Sequence, residues 1–213
     1  MKKMFFIAAL AVFGMNSADA QVSFGVKAGP QLTNFAGSDV EESNMKVGFN
    51  VGGYANIRFS EQLAFQPELL FSLQGAKTEE SLSEFGVTVK NEGKTNLSYI
   101  NVPLMMKWYA YDGLNFEFGP QVGFNVAAKG KSTTTTTGAG DFDGTVETEG
   151  DIENISTVDF GVNIGAGYEM ANGLNFGLRY GRGLTSISDI EDNNGDKAKV
   201  FNSVISLGVG YTF

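Results

Sequence analysis

Leu114-Asn115-Phe116-Glu117-Phe118-Gly119-Pro120-Gln121-Val122-Gly123-Phe124-Asn125-Val126 decides the fold. Its even positions are apolar, and its odd positions are Asn, Glu, Gly or Gln. A period of two puts the two sets on opposite faces of an extended strand, so the segment is a strand with two unlike surroundings. It continues to Ala128 and is preceded by Tyr111-Asp112-Gly113, a tight-turn signal.

The same period recurs on both sides. Upstream, from Leu97 to Ala110, Ile100, Val102, Leu104, Met106 and Trp108 oppose Tyr99, Asn101, Pro103, Met105, Lys107 and Tyr109. Earlier strands run from Val22 to Asn34, from Lys46 to Ser60 and from Leu63 to Gln74. Downstream, Val158 to Glu169 and Leu174 to Gly181 flank the turn Ala171-Asn172-Gly173, and Ile205 to Phe213 is the last strand. The connections alternate too. They are short at Ser60, Asp112 and Asn172, and long at 35–45, 75–96, 129–155 and 184–199. Phe85, Val87 and Val89 alternate within the second long connection, which suggests a hairpin that continues outward. The third holds the Thr133–Thr137 run and the acids Asp141, Asp143, Glu147, Glu149, Asp151 and Glu153, and reads as a solvated, mobile loop.

The polar face tells which side is outside. It is mostly Gly, Asn, Gln and Ser, whereas the wet face of a soluble sheet is dense in Lys and Glu. Small residues and a few charges suit the narrow interior of an eight-stranded barrel whose apolar face meets lipid. Aromatic residues gather beside the short turns, at Phe59, Phe65, Trp108, Phe116, Tyr168, Phe176, Tyr211 and Phe213, as an interfacial girdle requires. The competing reading, a soluble lipocalin-like barrel with its apolar face inward, fits the polar face less well. The expected fold is therefore all-β: an eight-stranded antiparallel up-and-down transmembrane β-barrel with short periplasmic turns and long extracellular loops.

Export is expected from the first twenty residues. Lys2 and Lys3 precede an apolar run from Met4 to Met15, and the small residues end at Ala18-Asp19-Ala20. Residues 1–20 thus read as a signal peptide and 21–213 as one barrel domain. The apolar run is too short for a membrane-spanning helix. Cleavage before Gln21 would remove two lysines and one aspartate, changing 15 basic and 24 acidic side chains to 13 and 23, a net charge of -10. Nucleic acid is an unsuitable partner for such a chain. With no Cys and no His, thiolate and histidine metal sites, Ser-His-Asp triads and His general bases are all absent. No enzyme, cofactor or metal site is expected.

Five segments, in this order and spacing, resemble the PorT-like outer-membrane β-barrel family of Bacteroidota, porin-like in kind. The most specific is Leu97-Ser-Tyr-Ile-Asn-Val-Pro-Leu-Met-Met-Lys-Trp-Tyr109. The others are Phe24-Gly-Val-Lys-Ala-Gly29, Phe118-Gly-Pro-Gln-Val-Gly123, Asp159-Phe-Gly-Val-Asn-Ile-Gly-Ala-Gly-Tyr168 and Arg179-Tyr-Gly-Arg-Gly-Leu-Thr185. The resemblance covers essentially all of 21–213 and implies the barrel and the outer membrane. It carries over no catalytic residue.

Two motifs have plainer explanations. The glycines at 161–167 lie inside a strand with no helix after them, so they read as lumen packing rather than a nucleotide loop. Asp192, Asn194 and Gly195 look like part of a calcium loop, but Ile190 and Phe201 stand where ligands belong. The inward ionisable groups are Lys27, Arg58, Glu68, Lys107, Glu117, Asp159, Glu169 and Arg179. Folding about Asp112 sets Lys107 opposite Glu117, an expected ion pair, and folding about Asn172 sets Arg179 opposite Gly165. Two functions follow: a mostly closed, charge-paired barrel acting as a structural or surface-interaction protein, or a porin-like channel for small solutes. Expected partners are outer-membrane lipid and the barrel-assembly machinery, which reads endings such as Tyr211 and Phe213 in resembling families. The sequence names no extracellular ligand.

Overall fold

The computed structural model describes residues 21–38, 43–190 and 198–213. The signal peptide expected over 1–20 and the Asp192–Gly195 motif lie outside them. Nine strands form in chain order: β1 (Gln21–Ala36), β2 (Lys46–Arg58), β3 (Leu63–Glu84), β4 (Val87–Tyr111), β5 (Leu114–Thr137), β6 (Gly144–Asp151), β7 (Val158–Glu169), β8 (Leu174–Gly183) and β9 (Phe201–Thr212). All pair antiparallel. The ring runs β1-β2-β3-β4-β5-β7-β8-β9 and closes where β9 returns to β1, setting Tyr211 opposite Val26 and Ile205 opposite Leu32. It therefore has eight strands, with β6 attached outside it to the far end of β5. Closure leaves the membrane-level part of the sheet no unpaired edge, which lipid would penalise.

The pleat divides the side chains as the period of two requires. Val51, Phe118 and Ile164 point outward with 44 %, 62 % and 63 % of their surface exposed, while Asn50, Tyr54, Gln66, Glu68, Tyr99 and Met105 are buried inside. A soluble barrel would show the reverse. The outward band is rimmed at the short-turn end by exposed aromatics, where the Trp108 and Phe116 rings stack 6.0 Å apart across the β4–β5 ladder. Asp112 and Gly113 both have positive φ, 34° and 84°, as a two-residue turn matched to strand twist demands.

The second long connection continues its hairpin outward as expected, and the third differs from the loop expected. Residues 75–84 and 87–96 are strand, and the hairpin turns at Phe85-Gly86, whose φ values of 49° and 83° make Phe85 a turn residue instead of a strand residue. The Thr133–Thr137 run is also strand. β5 carries it alongside β4 from Thr133↔Glu92 to Thr137↔Thr88, and the acidic segment returns as β6. Threonine is β-branched and favours extended backbone on a pleated surface, and this preference outweighs the disorder that the local charge suggests. β3, β4, β5 and β6 thereby form a four-stranded blade beyond the ring.

Candidate functional site

The lumen holds three polar tiers. The middle one crosses the barrel. Glu68 on β3 and Arg179 on β8 lie four strands apart in either direction around the ring, on opposite walls. Arg179 Nη1 and Nη2 each donate to a carboxylate oxygen of Glu68 at 2.8 Å, and its Nε donates to Glu117 Oε1 at 2.7 Å. All three side chains are buried. Lys27 adds a third cationic contact, with Nζ 3.2 Å from Glu68 Oε2. Gln66 ties in from β3, donating to Glu68 Oε1 at 2.8 Å.

Lys107 does stand opposite Glu117 in the β4–β5 register, but the expected ion pair between them does not form. Lys107 Nζ donates to Gln66 Oε1 at 3.2 Å, and Glu117 turns to Arg179. The reason is the neighbouring row: Glu117, Gly165 and Arg179 are in register across β5, β7 and β8, and Gly165 has no side chain to separate the other two. A Cβ there would lie 2.9 Å from Glu117 Oε1. The planar guanidinium also offers a forked match to a carboxylate that an ammonium lacks.

Nearer the short turns, Arg58 Nη2 meets Glu169 Oε1 at 3.1 Å, and the guanidinium lies 4.1 Å over the Tyr109 ring. The Tyr109 hydroxyl donates to Glu169 Oε2 at 2.9 Å and accepts from Asn56. At the other end, Asp159 accepts from Asn202 Nδ2 at 2.8 Å and from the Thr185 hydroxyl at 3.1 Å.

Above Asp159 the long-loop mouth is roofed by apolar side chains. Leu97, Tyr99 and Ile187 are fully buried, with Phe35, Ala128, Ile155 and Val200 packed against them. Ile187 belongs to the connection after β8; its N–H bonds to the Val200 carbonyl at 2.8 Å, and its carbonyl accepts from Ser156 N–H at 2.8 Å. Sequence reading missed this roof, because Ile187 and Ile155 sit in polar loops with no period to mark them. It also missed Gln66 as a hub. A lumen cavity of about 80 Å³ runs past the middle tier, bordered by Lys27, Gln31, Tyr54, Asn163 and Arg182 and reaching Asp159 at one end and Asn175 at the other.

A closed antiparallel ring of eight strands, with apolar side chains outside and ionised ones inside, defines an outer-membrane β-barrel. The chain belongs to the outer membrane protein beta-barrel domain family, which it matches over residues 16–189. That stretch ends before β9, the strand that completes the ring. No curated protein sequence matches the chain. Among solved structures it is similar to Neisserial surface protein A, at 14 % identity and a TM-score of 0.50 over 91 % of this chain and 99 % of that one. It is also similar to Ail, the attachment invasion locus protein of Yersinia pestis, at 12 % identity and a TM-score of 0.45 with the same coverage. The outer-membrane enzyme PagL gives 14 % identity and a TM-score of 0.37 over 88 % of this chain and 98 % of that one. At such identities the likeness is one of fold.

Proposed function

We propose that this is a structural or surface-interaction barrel whose lumen is shut to solutes and whose working surface is the long-loop rim. The single observation that carries this is the forked bond from Arg179 to Glu68, joining opposite walls at mid-lumen. The apolar roof of Leu97, Tyr99 and Ile187 and the small size of the lumen cavity, about 80 Å³, support it. Non-enzymatic character is part of the proposal, supported by the absence of His and Cys and by the pairing of the buried lumen carboxylates.

The short turns are read as periplasmic and the long-loop rim as extracellular, the usual bacterial arrangement. Residues 1–20 are read as a cleaved export signal, and Tyr211 with Phe213 as the ending presented to the assembly machinery. The five segments quoted above support a finer kinship with PorT-like barrels. Planar-bilayer recording of the refolded barrel tests the closed lumen: no steady conductance is expected, and a persistent porin-like current would establish the channel reading instead.

A further inference from the structure

β6 is the last strand of the blade, and one of its edges is free. It takes the side of β5 that β7 fills lower down: β7 pairs with β5 up to Phe124↔Val158, and β6 begins at Lys129↔Asp151. β8 and β9 stop at the rim, so among the described residues no strand continues the sheet beyond β6. All eight of its residues are exposed. Alternate residues therefore turn unpaired N–H and C=O groups toward that edge.

Natural sheets blunt such an edge with a proline, a lysine, a bulge or a very short strand. β6 reads Gly-Thr-Val-Glu-Thr-Glu-Gly-Asp, and its ladder with β5 keeps an unbroken register to Thr136↔Gly144, so none of these devices is present. The outer edge of β3, from Thr78 to Glu84, is different. Glu79 points outward there while Glu80 and Glu84 point inward, which charges both of its faces.

β6 is charged on one face only. Its register with β5 turns Glu147, Glu149 and Asp151 outward and leaves Gly144, Val146, Thr148 and Gly150 on the inward face. Asp151 and Glu149 stand opposite Lys129 and Lys131, and Lys131 Nζ reaches Glu147 Oε2 at 3.0 Å. The strand already paired with β6 thus displays a matching pattern: lysines at alternate positions, with small residues such as Gly130 and Ser132 on the opposite face. On the free side no described strand supplies a cation to the same three acids. A second copy is a poor occupant, because antiparallel pairing of two β6 edges brings three acids from each to one outward face, where like charges across a ladder repel.

We propose that the free edge of β6 takes up an extended segment of another protein as an added strand, with lysine or arginine at alternate positions and small or β-branched residues between. Main-chain hydrogen bonds hold the segment, and Glu147, Glu149 and Asp151 select it. The proposal rests on the reading of the long-loop rim as the working surface, which places the partner outside the cell.

The test uses the full barrel in detergent micelles and a short fluorescent peptide of alternating lysine and threonine. Binding is read by anisotropy, and folding by heat-modifiable gel migration. The wild type is expected to bind this peptide at least tenfold more tightly than one with glutamate in place of lysine. It should prefer it equally over a form N-methylated at every amide, which keeps the charge but has no N–H for the edge. E147Q/E149Q/D151Q is expected to lose at least tenfold while still folded, E147K/E149K/D151K to prefer the glutamate peptide, and E79Q/E80Q/E84Q on the β3 edge to bind as the wild type does. Equal binding of the N-methylated peptide would overturn strand addition. Equal binding by the β6 glutamine variant, or an equal loss from the β3 variant, would overturn β6 as the site. No binding of the lysine peptide, or self-association of the barrel through β6, would overturn the partner chemistry. The side of the membrane is read separately: a single Asp141→Cys in this cysteine-free chain is expected to label from outside intact cells. Absence of labelling would overturn the rim as the outer surface, whatever the peptide binding.

Discussion

Arg179 and Glu68 join opposite walls of the barrel by two parallel bonds of 2.8 Å, and the remaining Nε of the same guanidinium takes Glu117 at 2.7 Å. One arginine thus neutralises two buried carboxylates, with Lys27 sharing Glu68. The arrangement makes Arg179 the member whose loss leaves most behind.

Arg179→Met is therefore expected to lower stability by about 3 to 5 kcal/mol, because it strands Glu117 without its cation and leaves Glu68 with Lys27 alone. Urea unfolding in lipid vesicles measures it. The quadruple variant K27M/E68Q/E117Q/R179M should recover most of the loss, since the charges paired in this network are then removed together. A single variant as stable as the wild type would show that the network is not held by charge pairing.

Gly165→Val tests the gap through which Arg179 reaches Glu117. An added Cβ would lie 2.7 Å from the Leu178 carbonyl and 2.9 Å from Glu117 Oε1, so the pair must separate. A loss of roughly 1 to 3 kcal/mol is expected. Gly177→Ala is the control, because its Cβ would meet nothing nearer than 3.7 Å. Equal folding midpoints for the two variants would refute the argument.

How much of this was legible depended on the length scale of each signal. The lumen–lipid alternation repeats every two residues, so β5 and its neighbours were readable, and tight turns at Asp112 and Asn172 put Lys107 opposite Glu117 and Arg179 opposite Gly165. Those registers are the ones observed. Which charges actually touch depends on the width of the closed ring and on the reach of Arg179 across it, and no local pattern encodes either. The roof is illegible for a related reason, as Ile187 of the connection after β8 meets Leu97 of β4 only after the ring has closed. In the Thr133–Thr137 run, composition and β-propensity pointed opposite ways, and pairing with an already extended β4 decided it.

Sidedness can be tested with two adjacent residues. Val122 and Gln121 lie on opposite faces of β5, so an arginine at Val122 enters lipid while one at Gln121 enters the polar lumen. Near the midplane the lipid-facing charge costs about 2 to 4 kcal/mol. Val122→Arg should sharply reduce the folded yield in vesicles, and Gln121→Arg should reduce it much less. Equal yields would reverse the assignment of faces.

The end of the chain carries the last prediction. Tyr211 stands opposite Val26 on one side and Leu174 on the other, and the Phe213 N–H bonds to the Phe24 carbonyl at 2.8 Å. Thr212, between them, points inward, its hydroxyl 2.8 Å from the Tyr54 hydroxyl, while the Tyr211 and Phe213 rings meet edge to face at 5.6 Å. These three residues thus close the ladder, anchor a lumen contact and present an aromatic pair to the interface. Deleting Tyr211 to Phe213 opens the β9–β1 edge at the short-turn end, where each unsatisfied backbone group in lipid costs several kcal/mol. Export and signal cleavage are expected to proceed, but the heat-modifiable, membrane-inserted form should fall, with the chain held in the periplasm or degraded. Y211A/F213A separates the two causes, since it keeps every backbone bond and removes only the aromatic pair. If it fails to assemble in cells yet refolds normally in vesicles, the pair acts in delivery to the assembly machinery; if it fails in both, it acts in the fold. Normal levels of folded, membrane-inserted protein after the deletion would show that this segment is needed for neither.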